Sequence, residues 1–191
     1  HADLLQHAVL VFVPDFNADG NDKISPKNRV SQNGPTGGVG ERPNGQGLDL
    51  NRDFIKARSP EVRGMLRLFR MFDPHLFMDL HTTNGSEHGY HLTYAPSLAV
   101  NVDGRVDALT RSLLATVRER MQSKHGFRAF DYGNFPRGVR PPKRWVTYDH
   151  RPRFGTNYVG LRNRLAILSE AYSYMPFETR VQTTRAFVLE C

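Results

Sequence analysis

The sequence predicts an α/β fold in which helices pack on a mixed or mostly parallel sheet. Short apolar runs recur along the chain, segments with apolar residues at helical spacing lie between them, and turns rich in Gly, Pro and Asn separate the two. Strands that alternate with helices favour a sheet covered by helices. The length of 191 residues fits one domain, or most of one.

The first half of the chain predicts two strands and one helix around a long loop. Residues 8–13 form a continuous Val-rich run that predicts a buried strand. Residues 15–46 are about thirty residues with little periodicity, and loops of that length are usually functional. A helix is predicted from the N-cap Ser59 through Phe72, and a strand over residues 75–82.

The second half predicts two helices and a buried strand. Apolar residues at helical spacing predict a helix over residues 106–121 that ends near Gly126. The apolar run 165–171 predicts a buried strand, and residues 176–189 predict a closing helix. Short strands are also predicted at 92–94, 127–132 and 145–148.

Composition excludes several classes of function. The formal net charge is +7, with a local excess of basic residues at 137–153 that indicates a solvated loop or a rim attracting acidic ligands. Because no basic helix or RNA-binding signature is present, we expect no nucleic-acid partner. The single cysteine, Cys191, excludes an internal disulfide framework and a Cys-cluster metal site. No apolar run is long enough to cross a bilayer, and we expect no membrane partner.

Polar residues at the start of the long loop suggest two interpretations. Asp15, Asn17 and Asp19 alternate and precede Gly20, as at the start of a calcium loop. Pro26, however, occupies the position of the bidentate Glu, and a turn built on Asn and Asp side chains is favoured.

Asn51 and Arg52 follow a Gly-rich stretch at the end of the long loop. A guanidinium group can bind both oxygens of a carboxylate while an amide adds a donor, so this pair is suited to holding a carboxylate. The alternative is a structural ion pair of Arg52 with Asp49 or Asp53.

His81 lies near the carboxyl end of the predicted strand 75–82, where open α/β sheets bind ligands. Asp79 shares its face of the strand and could orient the imidazole as metal sites require. A purely structural histidine is the alternative.

Glu170 ends the apolar run 165–171. A carboxylate there loses hydration, which raises its pKa and suits a general base near neutral pH. The alternative is a buried ion pair with Arg162 or Arg164.

Taken in order, these segments resemble the zinc carboxypeptidases of the M14 type. The resemblance rests on five segments: Asn17-Ala-Asp-Gly, Lys27-Asn28-Arg29, Leu50-Asn51-Arg52, Asp79-Leu-His-Thr and Ser169-Glu170. The sequence of residues 79–85 looks closest to a bacterial branch of the family. The resemblance covers roughly residues 9–174. It implies a three-layer α/β/α fold with a mixed, mostly parallel twisted sheet, of which residues 1–191 form a partial catalytic domain truncated at its N-terminal side.

The resemblance also implies a role for each matching residue. His81 matches the third zinc ligand, and Glu170 matches the general base that activates the metal-bound water and passes the proton to the leaving amine. Arg29 matches the arginine that polarises the scissile carbonyl, and Asn51 and Arg52 match the pair that holds the free C-terminal carboxylate of a peptide substrate. A tyrosine before the glutamate closes over the substrate in this family; Tyr148 fits best by spacing, and Tyr158 is the alternative.

The chain departs from the family pattern in its metal ligands. The family takes two zinc ligands from an H-x-x-E segment, and none of the eight histidines here is followed three residues later by Glu. Catalytic zinc normally has three protein ligands, and only His81 is assigned here. We therefore expect that the chain starts downstream of that segment, binds zinc poorly and is inactive alone.

The sequence is also compatible with two other functions. One is a zinc deacylase of N-acyl amino acids, of the succinylglutamate-desuccinylase kind; the other is a metal-free domain that binds carboxylates. The peptidase is favoured by the segment Lys27-Asn28-Arg29 and by the position of Ser169-Glu170 far along the sequence. The basic loop 137–153 and Arg162 suggest acidic residues or cell-wall peptides as substrates, and the family suggests an exported, secreted or periplasmic bacterial enzyme.

Overall fold

The computed structural model describes residues 6–83, 86–136 and 143–191, so Asn84 and Gly85 of the matched segment and Arg137 and Arg140 of the basic loop lie outside the described residues. The helices are α1 (Ala18–Asp22), α2 (Pro60–Phe72), α3 (Gly104–His125), α4 (Gly155–Gly160) and α5 (Phe177–Glu190), with a 3-10 turn at Leu50–Arg52. The strands are β1 (Leu76–Thr82), β2 (Leu92–Pro96), β3 (Ala129–Asp131) and β4 (Leu165–Ala171). No described helix is both long enough and apolar enough to cross a membrane.

The four strands form one sheet in the order β1-β4-β2-β3. The pairs β1–β4 and β2–β3 are parallel, and β2–β4 is antiparallel. The prediction of a mixed, mostly parallel sheet is therefore confirmed. Because β1 and β4 run in the same direction, their carboxyl ends meet at one edge of the sheet, where His81 is in register with Glu170.

Helices cover both faces of this sheet. On one face, Phe69 of α2 and Val159 of α4 pack against Ala166 of β4. On the other, Ile167 packs in a cluster with Leu114 of α3 and Phe187 of α5. The two faces alternate along β4 because successive side chains of a strand point in opposite directions. The three-layer α/β/α arrangement is thus confirmed.

Helix α2 forms where its capping residues predict it. Ser59 Oγ accepts a hydrogen bond from the Val62 N–H at 3.3 Å, and Pro60 occupies the first turn, where its missing N–H costs nothing. Asp73 ends the helix in a left-handed conformation with φ of 41°. The apolar face buries Phe69 against Val159 and Ala166 on the α4 side of the sheet, and Val62 against Leu50 and Phe54.

The predicted buried strand at residues 8–13 is wrong. These residues lie outside every strand of the described sheet, and Val9 and Phe12 are 84% and 74% exposed. A short apolar run has the composition of a strand, but it becomes one only where a neighbouring strand offers hydrogen-bond partners. Among the described residues, β1 is itself the outermost strand on its side of the sheet.

Helix α4 was missed by the sequence analysis. Its six residues begin and end in Gly and contain β-branched residues, which disfavour helix. Tertiary contacts of the buried Asn157 hold it in place. The Asn157 amide donates to the carbonyls of Asp149 and Arg151 at 2.9 and 3.1 Å, and its oxygen accepts from the Leu98 N–H at 2.8 Å.

The weak strand predictions were partly correct. Residues 127–132 contain only the short β3, and Val146 of the predicted strand 145–148 forms an isolated bridge with Asn134. The last residues of the two segments, Tyr132 and Tyr148, are in edge-to-face contact, with ring centroids 5.8 Å apart.

Candidate active site

The candidate site lies at the edge of the sheet where β1 and β4 end. Glu170 is only 8% exposed, because β4 runs between β1 and β2. Burial raises the pKa of Glu170 to about 7, with Asp79 acting in the same direction and His81 opposing it. A carboxyl group with that pKa can take up and release a proton near neutral pH.

His81 is oriented by a carboxylate on its own strand. Asp79 Oδ1 lies 2.9 Å from His81 Nε2, and both side chains point to the α4 face of β1. Burial alone would lower the pKa of His81, but the charge and hydrogen bond of Asp79, with Glu170 beyond, raise it to about 9. This pairing orients the ring through Nε2, as carboxylates orient the histidines of metal sites.

Asn51 connects the long loop to this edge. Asp49 caps the 3-10 turn by accepting from the Asn51 N–H at 3.0 Å. The Asn51 oxygen accepts from the Gly155 N–H at 2.9 Å, and its Nδ2 lies 3.5 Å from His81 Nε2. One amide therefore contacts both the start of α4 and the imidazole.

Arg52 lies beside Asn51 with its guanidinium group over an aromatic ring. Its Cζ is 4.3 Å from the centroid of Phe154, and Nη1 donates to the Asn51 carbonyl at 2.6 Å. The predicted alternative of a structural ion pair is not formed, since Asp49 pairs with Arg42 and Asp53 contacts Arg58. Burial lowers the pKa of Arg52, which remains a cation at any physiological pH.

The long loop also brings a second arginine, Arg42, into electrostatic range of Glu170 and His81. Burial acts to raise the pKa of Glu170 and to lower that of His81, and the charge of Arg42 acts to lower both. Arg42 Nε lies 2.7 Å from Asp49 Oδ2. Arg29 is exposed as a residue and has a φ of 46°; partial burial of its guanidinium group, together with the charge of Arg42, lowers its pKa. Arg42 was missed by the sequence analysis, because its place depends on contacts with Asn17 and Asp49 and not on a local motif.

The Asn17 turn holds the backbone of this loop. Asn17 Nδ2 donates to the Arg42 carbonyl at 3.0 Å, and Asp19 accepts from the Gly45 N–H at 3.2 Å. Asn17 also accepts from the Gly20 N–H, which is the turn geometry favoured over a calcium loop. Asn44 is buried in the same loop and donates to both oxygens of Glu61 on α2.

Two tyrosines line the site, and a third does not. The Tyr148 hydroxyl donates to the Pro96 carbonyl at 3.2 Å, and burial and Asp79 raise the pKa of Tyr148. Tyr132 was missed by the sequence analysis; burial and then the charge of Glu170 raise its pKa to about 12. Tyr158 instead packs against Phe54 under α2, with ring centroids 6.1 Å apart.

The residues present fit one position of a metal site. His81 is oriented through Nε2, so Nδ1 is the ring nitrogen available to a metal. Within residues 6–83, 86–136 and 143–191, no group of three His, Cys, Asp or Glu side chains could hold an ion. The described residues thus do not complete a zinc site by themselves.

Comparisons with known proteins agree with this architecture. No protein-family model and no curated protein matches the chain. A metallo-carboxypeptidase from Burkholderia cenocepacia superposes with a TM-score of 0.63 at 15% identity, covering 93% of this chain and 42% of the other. A putative carboxypeptidase from Burkholderia mallei gives 0.59 at 18%, covering 93% and 43%. The chain has the metallo-carboxypeptidase fold.

A third carboxypeptidase was solved with a bound ligand. The metallo-carboxypeptidase from Pseudomonas aeruginosa, in complex with (2-guanidinoethylmercapto)succinic acid, gives a TM-score of 0.55 at 19% identity and covers 81% of this chain. This chain spans 40–43% of the length of these three carboxypeptidases. The fold expected from the ordered segments is therefore confirmed.

Within the carboxypeptidase fold, the predicted site residues separate into two groups. His81, Glu170 and Asn51 come together at the end of β1 and β4, with Arg52 next to Asn51. Arg29 is not in direct contact with them in the described structure, and the charges that act on it are those of Arg42 and Asp49.

Proposed function

We propose that the protein hydrolyses C-terminal peptide bonds, with Glu170 as the general base and Asn51 and Arg52 holding the terminal carboxylate of the substrate. The main support is the position of Glu170, a buried carboxyl with a pKa of about 7 in register with an oriented histidine. Asn51 lies 3.5 Å from that histidine, so a substrate held at Asn51 presents its last peptide bond near Glu170.

The carboxylate end of the substrate binds through complementary groups. Arg52 offers two parallel N–H donors, and its position over Phe154 limits the directions in which they point. Asn51 Nδ2 adds a third donor on the His81 side. A ligand fixed this way is cleaved at its terminus, because the reacting carbonyl must lie one residue from the carboxylate.

The chemical step requires a proton carrier and a positive charge. Glu170 accepts a proton from the attacking water and donates it to the leaving amine, which its pKa near neutrality allows. Arg42 and Arg29 supply fixed positive charge for the oxyanion, and one such donor is worth about 3–4 kcal/mol in well-studied enzymes. Tyr148 and Tyr132 line the side of the site next to Glu170.

We propose zinc as the cofactor, with His81 as one of its ligands. When bound, zinc would polarise the carbonyl and acidify water. The described residues contain no group of three His, Cys, Asp or Glu side chains that could hold the ion, so we assign no other ligand, and no step above depends on the geometry of the metal.

The test compares matched peptides with a free or an amidated C-terminus. The complete protein, with any segments beyond these 191 residues, is incubated with zinc, and released amino acids are measured by mass spectrometry. We expect release from the free peptide at a rate at least 100-fold above the amide. Glu170→Gln should lower the rate by about 10²–10⁴-fold, whereas the control Glu119→Gln on α3 should not.

Two results would contradict the peptidase proposal. Release of acyl groups from N-acyl amino acids, with peptides uncut, would indicate the deacylase. Tight binding of the free peptide without turnover would indicate a carboxylate-binding domain, which is the second candidate because the described residues complete no metal site.

A further inference from the structure

Two guanidinium groups share one aromatic ring at the carboxylate end of the candidate site. The Cζ atoms of Arg52 and Arg153 lie 4.3 and 4.9 Å from the centroid of the Phe154 ring. The two cations are therefore within about 9 Å of each other, since both fall inside the cation–π range of a single ring. Phe154 is buried and packs edge-on against Tyr148, which fixes the ring.

Arg153 is only partly neutralised by its neighbours. One nitrogen, Nη2, donates to Asp149 at 2.9 Å, and Asp149 also binds Arg151 at 2.6 Å. Arg153 Nε is buried without a hydrogen-bond partner among the described residues, while the side chain as a whole is 35% exposed. One aspartate therefore serves two arginines, so the positive charge of Arg153 is only partly compensated.

The surroundings of Arg52 hold more positive charge than one substrate carboxylate would neutralise. The charges of Asp49, Arg42, Arg153 and Asp149 act on Arg52, and Asp149 also pairs with Arg151. Four arginines (Arg42, Arg52, Arg151 and Arg153) therefore share two aspartates (Asp49 and Asp149), and binding of a single terminal carboxylate leaves a surplus of one positive charge. A second carboxylate on the ligand would reduce that surplus at a site where the donors already exist.

We propose that Arg153 is a specificity-determining residue that selects substrates with an acidic C-terminal residue, Glu or Asp. Arg52 and Asn51 hold the α-carboxylate, and Arg153 binds the side-chain carboxylate. This inference rests on the carboxylate site of the proposed function and goes beyond it by assigning the substrate class.

The dimensions of glutamate fit this arrangement. Its two carboxyl carbons are about 5 Å apart by standard bond lengths. A bidentate arginine–carboxylate pair adds about 4 Å on each side, so an extended glutamate reaches Cζ atoms about 13 Å apart and a bent rotamer reaches closer ones, including pairs within about 9 Å. A neutral isostere such as glutamine occupies the same volume but cannot form the second bidentate ion pair.

The sequence suggested two basic groups for acidic substrates, the loop 137–153 and Arg162, and of these Arg162 lies away from the Phe154 ring. Arg162 stacks over Phe69 of α2, 5.6 Å from its centroid, before the amino end of β4. Arg153 occupies the other end, near Phe54 and Gly155, and is the member of the described basic loop that shares the Phe154 ring with Arg52.

The test measures binding, so it does not depend on turnover. Calorimetry on the 191-residue chain compares acetyl-Ala-Glu with acetyl-Ala-Gln, which differ only in the side-chain carboxylate. We expect at least 10-fold tighter binding of the Glu peptide, and Arg153→Gln should reduce this ratio to below 2-fold without weakening the Gln peptide. Arg153→Lys keeps the charge and should give an intermediate ratio. Arg111→Gln, on the exposed face of α3, is the control and should keep the full ratio.

Each outcome decides the proposal. Equal binding of both peptides by the natural sequence, or a full ratio kept in a folded Arg153→Gln variant, overturns the role of Arg153 but leaves the carboxylate site intact. If neither peptide binds, the carboxylate site of the proposed function fails as well. If Arg153→Gln does not fold, as judged by circular dichroism, the Arg153→Lys ratio decides; a full ratio there contradicts bidentate recognition.

Discussion

The Nδ2 atom of Asn51 lies 3.5 Å from Nε2 of His81, although 30 positions separate the two residues along the chain. Its oxygen, on the other side of the same amide, accepts from the Gly155 N–H. The geometry of the candidate site thus depends on a loop residue that is fixed from two directions.

Replacement of Asn51 should measure how much this amide stabilises the fold. Asn51→Ala leaves the Gly155 N–H without its acceptor, and we expect a loss of about 1–3 kcal/mol in the free energy of unfolding. Asn51→Asp keeps the acceptor and should lose less. Urea denaturation gives both values. Asn21→Ala removes an exposed hydrogen bond and should cost under about 0.5 kcal/mol; an equal cost at both positions would contradict the bridging role.

Two glycines should respond to alanine with opposite signs. A Cβ at Gly155 would lie 2.9 Å from Phe54 Cζ in a buried cluster, so Gly155→Ala should destabilise the protein by about 1–3 kcal/mol. A Cβ at Gly64, within α2, meets nothing within 4 Å. Gly64→Ala should therefore stabilise the protein by about 0.5–1 kcal/mol. Thermal unfolding of the two variants tests the close contact at α4; a neutral Gly155→Ala would contradict it.

Asp53 should make stability depend on acid pH. Burial opposes its ionisation, but hydrogen bonds from Ser59, including one of 2.7 Å from its N–H, lower the pKa of Asp53 below 3.8. As the pH falls below about 5, the Asp53 carboxylate is protonated in the unfolded chain before it is protonated in the folded protein. The stabilisation present at pH 5–7 is therefore lost. Asp53→Asn should be less stable than the natural sequence at pH 7 by about 1–3 kcal/mol.

The difference between Asp53→Asn and the natural sequence should shrink as pH is lowered towards 3. Urea denaturation at pH 7, 5 and 3 checks this trend. A constant difference across that range would mean that the charge of Asp53 is not what stabilises the Ser59 N-cap region.

Zinc should bind this chain weakly. His81 is the ligand that we assign among the described residues, and structural and catalytic zinc sites use three or four. We expect a Kd for zinc weaker than about 1 μM by calorimetry, which is much weaker binding than that of a structural zinc site with four protein ligands. His81→Ala should weaken whatever binding is seen. Tight stoichiometric binding would show that further ligands lie in the chain and would contradict this expectation.

The elements that sequence predicted well are those with strong local signals. The cap at Ser59 and the helical spacing behind it predicted α2, and the apolar run before Glu170 predicted β4. Alternation on β1 placed Asp79 and His81 on one face, as the structure has them. These features depend on neighbours in sequence, so a single sequence contains the information.

The features that sequence reasoning missed depend on distant contacts. The run at residues 8–13 is apolar enough for a strand, but it contacts no strand of the described sheet. The residues of helix α4 have low helix propensity, and the helix is held by the hydrogen bonds of the buried Asn157 amide. Arg42 lies near Glu170 because Asn17 holds its backbone from 25 positions away, which no spacing rule within the loop reveals.

The outer edge of β1 has a practical consequence for anyone who prepares this polypeptide. Leu80 is 50% exposed on a strand with no described neighbour on that side, and the apolar Val9 and Phe12 are also open to solvent. Unpaired edges of this kind recruit other chains, so concentrated stocks should form fibrils or precipitate. Lysine in place of Leu80 would introduce a charge on that edge and extend the usable concentration range.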